Sequence, residues 1–354
     1  MKILLTGGGT LGAVSPLLAI RDELQKRVSG TRFIWIGTEQ GLEKEIIERE
    51  GINYYAISSG KLRRYFSWQN FLDPFRIIRG VFQAYKIIKE FDPEIILSAG
   101  GFVGVPVVIA SWLQARKSII HQQDLQAGLA NLLVARFATI VTVSFKESLA
   151  DFPKGKTALL GNPVREMILS GNREKAKEKF GFNDNLPVLL VMGGSLGAES
   201  INQLMEKSFS ELTQFCQIIH VSGKEYKPLE ITQNNYKVIP FLHYEELADA
   251  YALAEIIVCR AGLSTISELS AIGKPIVLIP IPNNQQVKNA DYLVKAKAAM
   301  ALDQNKTKPA EFVRLVRELI DNEAERKDLA ENIRKIMPSN PREMYGELIL
   351  SLIE

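Results

Sequence analysis

The sequence predicts an α/β protein of two domains, each built on a mostly parallel β-sheet covered by helices. Short apolar runs typical of buried strands alternate with stretches typical of helices along the whole chain, which is the pattern of repeated βα units. In both halves a glycine-rich turn follows such an apolar run, at residues 7–12, 100–104 and 193–197. A length of 354 residues also favours about two domains. We therefore expect ligands at the carboxyl ends of the strands, in a cleft between the domains.

A cluster of turn-forming residues marks the predicted domain boundary. The stretch Gly161-Asn162-Pro163-Val164-Arg165 interrupts the βα pattern, which restarts after it. We expect a first domain at residues 1–163 and a second at residues 164–341. The last apolar helix, at residues 342–354, is expected to pack back on the first domain.

Composition limits the classes of protein to which this chain can belong. The net charge of +3 comes from 43 basic and 40 acidic residues, a balance that does not by itself indicate nucleic-acid binding. Two cysteines, Cys216 and Cys259, form no disulfide framework or metal-binding pattern, which fits a reducing compartment. The three histidines are scattered, so we predict neither a metal site nor another cofactor. The chain has no signal peptide pattern and no apolar run of the ~20 residues that a membrane span needs, so we expect a cytoplasmic protein.

The first βα unit carries a glycine loop. Gly7, Gly9 and Gly12 form the G-x-G-x-x-G pattern, and Ser15-Pro16 is expected to begin the following helix with Ser15 as its N-cap. A nicotinamide dinucleotide site needs an acidic residue where the second strand ends, but this strand closes with Gly37-Thr38. A nicotinamide cofactor is therefore disfavoured. Alternatively, the glycines only permit a tight turn between strand and helix.

Residues 61–90 form a basic segment rich in aromatic residues. Seven basic residues and two acidic residues give this segment a charge of +5. An amphipathic element of this kind is typical of a surface that binds anionic lipid headgroups. The predicted membrane patch consists of Tyr65, Phe66, Trp68, Phe71, Phe75, Arg76, Arg79 and Phe82. An alternative that the sequence leaves equally open is that the aromatic face belongs to the protein core. Nucleic acid is disfavoured, because the chain has no wider basic footprint.

Polar side chains follow the strand-like run at residues 118–120. They are His121-Gln122-Gln123-Asp124, and in α/β sheets residues at the carboxyl end of a strand contact ligands. Alternatively, His121 is a hydrogen-bonded scaffold residue and Asp124 is a turn or capping residue.

A second candidate site follows the strand-like run at residues 255–259. The small-residue turn Arg260-Ala261-Gly262 leads into a predicted helix, and Glu268 lies in that helix. The N–H groups of a helix N-terminus bind phosphate, and a carboxylate nearby binds a ribose diol. Alternatively, Thr265 and Glu268 form a structural capping box of the T-x-x-E type.

Together these motifs resemble those of the bacterial MurG family, the undecaprenyl-diphospho-muramoylpentapeptide β-N-acetylglucosaminyltransferases. The resemblance spans nearly the whole chain in the family's order and spacing. It rests on residues 8–10, 98–102, 121–124, 128–131, 161–165, 193–198, 260–268, 285–286 and 289–290.

The resemblance implies the GT-B fold, in which two Rossmann-like domains face each other across a cleft. It also implies inverting transfer of N-acetylglucosamine from UDP-N-acetylglucosamine (UDP-GlcNAc) to the 4-hydroxyl of muramic acid on lipid I. The product would be lipid II, a precursor of the cell wall. The implied partners are UDP-GlcNAc, a polyprenyl-linked lipid and the anionic inner face of the plasma membrane, where the protein would be peripheral.

The resemblance also implies roles for single residues. Glu268 would hold the ribose hydroxyls, Phe241 and Leu242 would hold the uracil through backbone contacts, and Arg165 would face the diphosphate. Gln285 and Gln286 would contact the sugar hydroxyls. The remaining residues implied on the donor side are Thr10, Leu11, Gly12, Asp124, Ser195, Leu263, Ser264, Thr265, Ile266 and Ser267, and those implied on the acceptor side are Gly9, Ala13, Phe102, Gln122 and Asn131.

This chain departs from the family pattern on the acceptor side. Ala13 stands where the family has a histidine, Gln122 where it has a glutamate, and Asp124 where it has an asparagine. Inverting transfer needs a group that takes the proton of the acceptor hydroxyl, and we expect Asp124 to supply it. These departures leave three alternatives open: a related transferase with another lipid acceptor, a UDP-GlcNAc epimerase of similar architecture, or a donor-binding protein without catalytic activity.

Overall fold

The computed structural model describes residues 1–8, 11–39, 41, 43–60, 69–183, 185–194, 197–226 and 233–354; for residues 11 and 69–72 it describes only the backbone. The chain forms two compact units. The first comprises Met1–Arg165 and Met337–Glu354, and the second comprises Glu166–Ile336. The chain therefore leaves the first unit after Arg165 and returns to it at Met337.

The first unit alternates strands and helices. In chain order its elements are β1 (Lys2–Thr6), α1 (Val14–Arg27), β2 (Arg32–Thr38), α2 (Glu43–Arg49), β3 (Asn53–Ile57), α3 (Gln69–Phe91), β4 (Ile95–Ser98), α4 (Gly104–Leu113), β5 (Lys117–Gln122), α5 (Leu129–Val134), β6 (Ile140–Val143) and β7 (Thr157–Leu159). Strands β1 and β4 are apolar and almost wholly buried, as expected for strands with helices on both faces.

The strands of the first unit form one parallel sheet in the order β3-β2-β1-β4-β5-β6-β7. The order reverses between β1 and β4, so the loops that follow these two strands begin side by side. The indole N–H of Trp35 donates to the carbonyl of Gly7 at 3.1 Å, which fixes the first loop. A Cβ on Gly101, whose φ is +77°, would lie 2.5 Å from the carbonyl oxygen of Gly8. Only glycine therefore permits the two loops to pack this closely.

Helix α1 begins earlier than Ser15-Pro16 predicts. A 3₁₀ turn covers Leu11–Ala13, α1 continues from Val14, and its N-cap Ala13 makes no side-chain capping hydrogen bond. The prediction of Ser15 as N-cap was wrong, because the chain coils as soon as it leaves the glycine loop. Pro16 then lies in the first turn, where its missing N–H removes no helical hydrogen bond.

The second unit repeats the same plan. Its elements are α6 (Glu166–Leu169), α7 (Arg173–Phe180), β8 (Val188–Met192), α8 (Glu199–Leu212), β9 (Gln217–Val221), β10 (Tyr236–Ile239), α9 (Tyr244–Leu253), β11 (Ile256–Cys259), α10 (Leu263–Ile272), β12 (Ile276–Leu278), α11 (Gln285–Lys295), β13 (Met300–Ala301), α12 (Pro309–Asp321) and α13 (Glu323–Arg334). The strands are parallel, in the order β10-β9-β8-β11-β12-β13.

The core of the second unit lies between this sheet and helices α8 and α12. Val191 of β8 and Val258 of β11 belong to the same buried cluster as Met205, Phe312 and Val316 of the two helices. Each of these side chains is 0% exposed. Together the two sheets confirm the predicted fold class, a two-domain α/β protein with a parallel sheet in each domain.

The last helix, α14 (Pro341–Ile353), belongs to the first unit. Tyr345 and Ile349 are buried in a cluster with Leu17 and Leu18 of α1. This contact places the C-terminal segment against the helix that follows the first glycine loop.

A buried polar network joins α14 to β5. Tyr345 Oη lies 2.7 Å from His121 Nδ1, and His121 Nε2 lies 2.9 Å from Asn162 Oδ1. Burial lowers the pKa of His121 to about 4, so the ring is neutral at pH 7. The strand predicted at residues 118–120 is longer in the structure and includes His121 and Gln122. Because His121 is buried and hydrogen-bonded, the structure supports the scaffold alternative for this histidine.

Candidate functional site

The candidate site of the second unit lies where the strand order reverses. Strands β8 and β11 are neighbours in the sheet, but the chain runs from β8 towards β10 on one side and from β11 towards β13 on the other. In open α/β sheets, the loops that follow two such strands diverge and leave a crevice at the carboxyl edge of the sheet. Ligands of open α/β sheets bind in such a crevice.

The N-terminus of α10 faces this edge without a side-chain cap. Its N-cap residue, Gly262, has extended dihedral angles, and no acidic residue lies in the first turn. A Cβ built on Gly262 would meet no atom within 4 Å, so the space before the helix is open. Backbone N–H groups at an uncapped N-terminus bind anions such as phosphate, helped by the positive end of the helix dipole.

The capping-box alternative for Thr265 and Glu268 does not hold in the structure. Gly262 is the N-cap, so Thr265 lies inside the helix at its third position. Ser264 and Thr265 are half-buried near the open end, whereas Leu263, Ile266 and Ser267 are buried. The hydroxyl of Ser267 donates to the carbonyl of Leu263 at 2.7 Å, so this side chain is used within the helix.

Glu268 is a buried carboxyl group one turn further along α10. The residue is 7% exposed, and the hydroxyl of Tyr251 on α9 donates to its Oε2 at 2.9 Å. Burial raises the pKa of Glu268 to about 7, and the hydrogen bond from Tyr251 opposes this rise. A buried carboxyl with a perturbed pKa in a crevice is typical of a functional site.

Tyr251 is a neighbour of Glu268 that the sequence does not indicate. Its only local signal is an aromatic residue within an amphipathic helix, which is usually a core residue. The contact with Glu268 depends on how α9 and α10 pack in the folded chain, which no local pattern of residues indicates.

The glycine loop after β8 begins at the same edge of the sheet, and the structure describes all of its residues except 195 and 196. Gly197 has φ +80°, and a Cβ there would lie 2.3 Å from the carbonyl oxygen of Ser222. A residue with a side chain therefore does not fit at position 197, and only glycine permits this backbone conformation. Helix α8 follows with Ala198 as an N-cap that makes no side-chain hydrogen bond. Ser195, which we predicted near the phosphates, lies outside the described residues.

Phe241 and Leu242 follow β10, at the same edge of the sheet. Leu242 is buried, and Phe241 is half-buried with its ring against His243 at a centroid distance of 5.2 Å. The ammonium group of Lys224 lies 4.9 Å from the centroid of the Phe241 ring. These contacts fix the backbone that the family resemblance assigns to the uracil.

Helix α11 brings three amide side chains to the loop after β12. Gln285 is exposed at the first position of the helix, and Oε1 of Gln286 accepts a hydrogen bond from the Ile281 N–H at 3.2 Å. Buried Asn289 donates to the carbonyl of Ala261 at 3.1 Å, directly before the N-cap of α10. Asn289 thus ties α11 to the turn that precedes the open helix end.

Arg165 has partners other than the diphosphate that the resemblance assigns to it. Its Nη1 lies 2.8 Å from Glu50 Oε1, and its Nε lies 3.4 Å from Asp22 Oδ2. Arg21 also pairs with Glu50 and Asp22. Burial raises the pKa of Glu50, but the two arginines together hold it below its usual value. The charge of Arg165 is therefore already balanced within the first unit.

On the acceptor side, the Gln122 side chain holds the loop at residues 122–128 together. Its Nε2 donates to the carbonyls of Asp124 and Gln126, each at 2.9 Å. Its Oε1 accepts from the Gly128 N–H at 3.1 Å and from Asn131 Nδ2 at 2.9 Å. All four hydrogen-bonding positions of the amide are used, so Gln122 and Asn131 act here as scaffold. Asp124 is half-buried within this loop.

The first glycine loop is described only in part. Gly9 and Thr10 lie outside the described residues, as does the side chain of Leu11, while Gly12 lies in the 3₁₀ turn. Ala13 is buried, and its Cβ lies 3.4 Å from the position of a Cβ on Gly7. Where the family pattern has a histidine, this chain therefore packs a methyl group into its core. Phe102 packs against the cluster between α4 and α5.

Two aromatic residues of α3, Phe75 and Phe82, lie on the surface. Phe75 is 72% exposed and Phe82 is 69% exposed, and Arg76 and Arg79 are exposed beside them. On α4, Trp112 adds a side chain that is 53% exposed. The core alternative for this segment is therefore wrong for Phe75 and Phe82. Tyr65, Phe66 and Trp68 lie outside the described residues, as does the side chain of Phe71.

Helix α3 begins at Gln69 and includes Pro74, whereas the sequence predicts helical spacing only from Pro74 onward. Pro74 lies in the second turn, so one backbone hydrogen bond is lost without ending the helix. Among the described residues, no helix is both long and apolar enough to cross a membrane. In the same part of the chain, no three His, Cys, Asp or Glu side chains are grouped as a metal site would require.

Comparison with known proteins identifies the family. Residues 3–143 match the Glycosyltransferase family 28 N-terminal domain, and residues 188–340 match the Glycosyltransferase family 28 C-terminal domain. The UDP-N-acetylglucosamine--N-acetylmuramyl-(pentapeptide) pyrophosphoryl-undecaprenol N-acetylglucosamine transferase 2 of Bacillus cereus is 42% identical over 327 residues, which cover 91% of this chain and 92% of the relative. The crystal structure of Acinetobacter baumannii MurG is 26% identical, with a TM-score of 0.75 and coverage of 99% of both chains. The chain belongs to the MurG family.

This membership confirms the resemblance to the MurG family that the sequence motifs indicated. It also confirms the class of enzyme, a glycosyltransferase. The same fold also occurs in a UDP-GlcNAc 2-epimerase from Neisseria meningitidis bound to UDP-GlcNAc, with a TM-score of 0.66. At 15% identity and 99% coverage of this chain, that likeness concerns the fold alone.

Proposed function

We propose that this chain transfers N-acetylglucosamine from UDP-GlcNAc to the 4-hydroxyl of muramic acid on lipid I, which forms lipid II. The observation that carries the proposal is the uncapped N-terminus of α10, followed one turn later by the buried carboxyl of Glu268. A member of the MurG family that has this arrangement at the switch point of its second sheet is suited to a UDP-sugar.

The proposed donor site acts mainly on the leaving group. When the bond between the anomeric carbon and UDP breaks, negative charge develops on the diphosphate. The N–H groups at the N-terminus of α10 stabilise this charge, and the positive end of the helix dipole adds to the effect. Glu268 accepts hydrogen bonds from the ribose diol, and the backbone at Leu242 holds the uracil. Gln285 and Gln286 contact the sugar hydroxyls from the first turn of α11.

The proposed general base is Asp124. The 4-hydroxyl oxygen of the acceptor forms a bond to the anomeric carbon, its proton passes to the Asp124 carboxylate, and UDP leaves with the electrons of the broken bond. Two observations favour this residue. The amide of Gln122 is used for hydrogen bonds within the loop, and Asp124 is the one acidic residue in residues 122–128.

The test of this proposal is transfer from labelled UDP-GlcNAc to lipid I, followed by detection of the disaccharide lipid. Asp124→Asn should lower the transfer rate by at least ~100-fold, the range of general base catalysis. Its affinity for UDP should stay the same, because the base does not contact the leaving group. Asp151→Asn is a matched control, since Asp151 is an exposed aspartate of the same unit. Full turnover by Asp124→Asn would exclude Asp124 as the base.

A second candidate is transfer to a different lipid acceptor. It is favoured by the acceptor side, where Ala13 is packed in the core and the Gln122 amide replaces a carboxylate. The same assay with diacylglycerol or another polyprenyl-linked sugar distinguishes the two acceptors. Loss of UDP-GlcNAc without any acceptor would indicate an epimerase, and donor binding without transfer to any lipid would indicate a protein that has no catalytic activity.

We also propose that the exposed apolar residues of α3 and α4 bind the inner face of the plasma membrane. Phe75, Ile78 and Phe82 are more than half exposed and line one cavity on the surface of α3, and a group of exposed apolar side chains often marks an interaction site. Trp112 of α4 is also more than half exposed. The exposed Arg76 and Arg79 beside them attract anionic headgroups.

Co-sedimentation with vesicles containing anionic lipid tests the membrane surface. The double variant Phe75→Ser and Phe82→Ser should reduce the bound fraction at least several-fold, because each buried aromatic side chain contributes about 2 kcal/mol of apolar transfer. A matched control is the double variant Ile281→Ser and Val294→Ser, which changes exposed apolar residues of the second unit. Equal loss of binding in both double variants would refute a specific role for α3.

A further inference from the structure

Glu268 and Tyr251 form a buried pair between α9 and α10. The Tyr251 side chain is 0% exposed, and its hydroxyl donates to Glu268 Oε2 at 2.9 Å. A phenolic hydroxyl can donate only one hydrogen bond, so Tyr251 donates to no group other than the carboxyl of Glu268.

This bond leaves the other carboxyl oxygen available. Within the described part of the chain, Glu268 Oε1 has no hydrogen-bond partner, and the residue keeps 7% of its surface exposed. An ionised carboxylate has about four acceptor positions on its two oxygens. With one position used by Tyr251, enough remain for the two hydroxyl donors of a ribose.

The phenolic hydroxyl also favours the charged form of Glu268. Burial alone favours the neutral acid, and the hydrogen bond from Tyr251 works against that effect. A protonated carboxyl would have to donate its own hydrogen, so it would accept fewer hydrogen bonds from a diol.

We propose that Tyr251 is a positioning residue for the nucleotide site: it orients Glu268 and favours its charged form, so that Glu268 accepts both ribose hydroxyls. This inference rests on the proposed function in one respect, namely that Glu268 contacts the ribose. Tyr251 itself is fully buried and acts on the ligand only through Glu268.

In the part of the chain that the structure describes, few charged or titratable groups lie near Glu268. Tyr251 faces it from α9 and Cys259 faces it from β11; burial raises the pKa values of both. On α13, Arg334 donates to the carbonyl of Ile272, at the opposite end of α10, and Glu166 on α6 is exposed. Among the described residues, Tyr251 is therefore the neighbour whose hydrogen bond favours the ionised form of Glu268 against the effect of burial.

Binding of UDP and of 2′,3′-dideoxy-UDP to the full chain, measured by calorimetry between pH 6 and 9, tests the inference. Tyr251→Phe removes the hydroxyl and keeps the ring. We expect it to raise the Kd of UDP about tenfold at pH 7, which corresponds to the loss of one hydrogen bond to a charged group. The effect should shrink towards pH 9, where Glu268 ionises without help. The Kd of dideoxy-UDP should not change.

Tyr236→Phe is the matched control. Tyr236 is also buried in the second unit, and its hydroxyl contacts His220 Nδ1 at 2.7 Å. The Tyr236→Phe variant removes an equivalent buried hydroxyl. It should therefore alter stability similarly and leave the preference for UDP over dideoxy-UDP unchanged. In a Glu268→Gln background, Tyr251→Phe should no longer change UDP affinity.

Two outcomes would overturn the inference. The first is a Tyr251→Phe protein that prefers UDP over dideoxy-UDP as strongly as the unaltered chain at every pH. The second needs no variant: an unaltered chain that binds UDP no more tightly than dideoxy-UDP at any pH overturns the inference even if Tyr251→Phe does not fold. Failure of the proposed function has a different result: the unaltered chain would transfer no N-acetylglucosamine to lipid I, whatever its preference between UDP and dideoxy-UDP.

Discussion

Replacing Glu268 with glutamine should stabilise the second unit above neutral pH while it weakens UDP binding. Glu268→Gln keeps the shape of the side chain and an oxygen that can accept the hydrogen bond of Tyr251. It removes the charge that burial disfavours. Stability and binding should therefore change in opposite directions, as expected where a residue that binds a ligand also destabilises the folded chain.

The sign and size of the stability change follow from the pKa of Glu268. Burial raises the pKa from 4.5 to about 7 in the folded chain, so the carboxyl ionises more readily in the unfolded chain. Its contribution to stability is fully present below pH 4.5 and is lost as the pH rises through 7. The loss is under ~1 kcal/mol at pH 5 and roughly 3 kcal/mol at pH 8.

Thermal unfolding between pH 5 and 8.5 measures this difference. For a unit of this size, 1 kcal/mol shifts the midpoint by roughly 2–4 °C, so Glu268→Gln should unfold at least ~5 °C above the unaltered chain at pH 8. At pH 5 the gap should fall to ~1–2 °C, following the smaller free-energy difference. Glu331→Gln, which changes an exposed glutamate of α13, should shift the midpoint by no more than ~1–2 °C at either pH.

Addition of UDP completes the experiment. UDP should raise the unfolding midpoint of the unaltered chain by mass action, and it should have much less effect on Glu268→Gln. If Glu268→Gln is no more stable than the unaltered chain at pH 8, or if the gap is independent of pH, then burial of an ionised carboxylate is not the cause and the reasoning fails.

Three further predictions concern the first unit. Tyr345→Phe removes the hydroxyl next to His121 and should lower the free energy of unfolding in urea by ~1–3 kcal/mol, with UDP binding unchanged; equal stability would contradict the buried network. Arg165→Met leaves Glu50 with one cation fewer and should cost ~2 kcal/mol at pH 7. Because the pKa of Glu50 is lowered in the folded chain, this cost should disappear as the pH falls below 4.5; a cost independent of pH would count against the ion pair. Gln122→Glu removes two N–H donors that hold the acceptor loop, so the KM for the lipid acceptor should rise several-fold at constant Kd for UDP.

The acceptor loop and the donor crevice differ in how closely the sequence defines them. In the donor crevice, the small residues before α10 and the carboxyl of Glu268 are close in sequence, and this local pattern indicates binding of phosphate and of a ribose diol. In the acceptor loop the chemistry depends on which side chains are used for scaffolding, and Gln122 shows that a polar residue at a strand end can be fully occupied within its own loop.

The sequence by itself determined the βα alternation, the parallel sheets, the glycine loops and the family, because these depend on local spacing and on the order of motifs along the chain. It could not decide whether Phe75 and Phe82 are core or surface residues, since an amphipathic helix has the same pattern in either case. It also suggested a capping box at Thr265, whereas the structure begins the helix at Leu263.

Only the tertiary structure brought Tyr251 to Glu268, Tyr345 to His121 and Glu50 to Arg165. These pairs are separated by 17, 224 and 115 positions in the chain. Their contacts depend on strand order and helix packing, which no local pattern of residues records. The ionisation of Glu268 follows from the same cause, because desolvation is set by all the groups that surround a side chain and not by its neighbours in sequence.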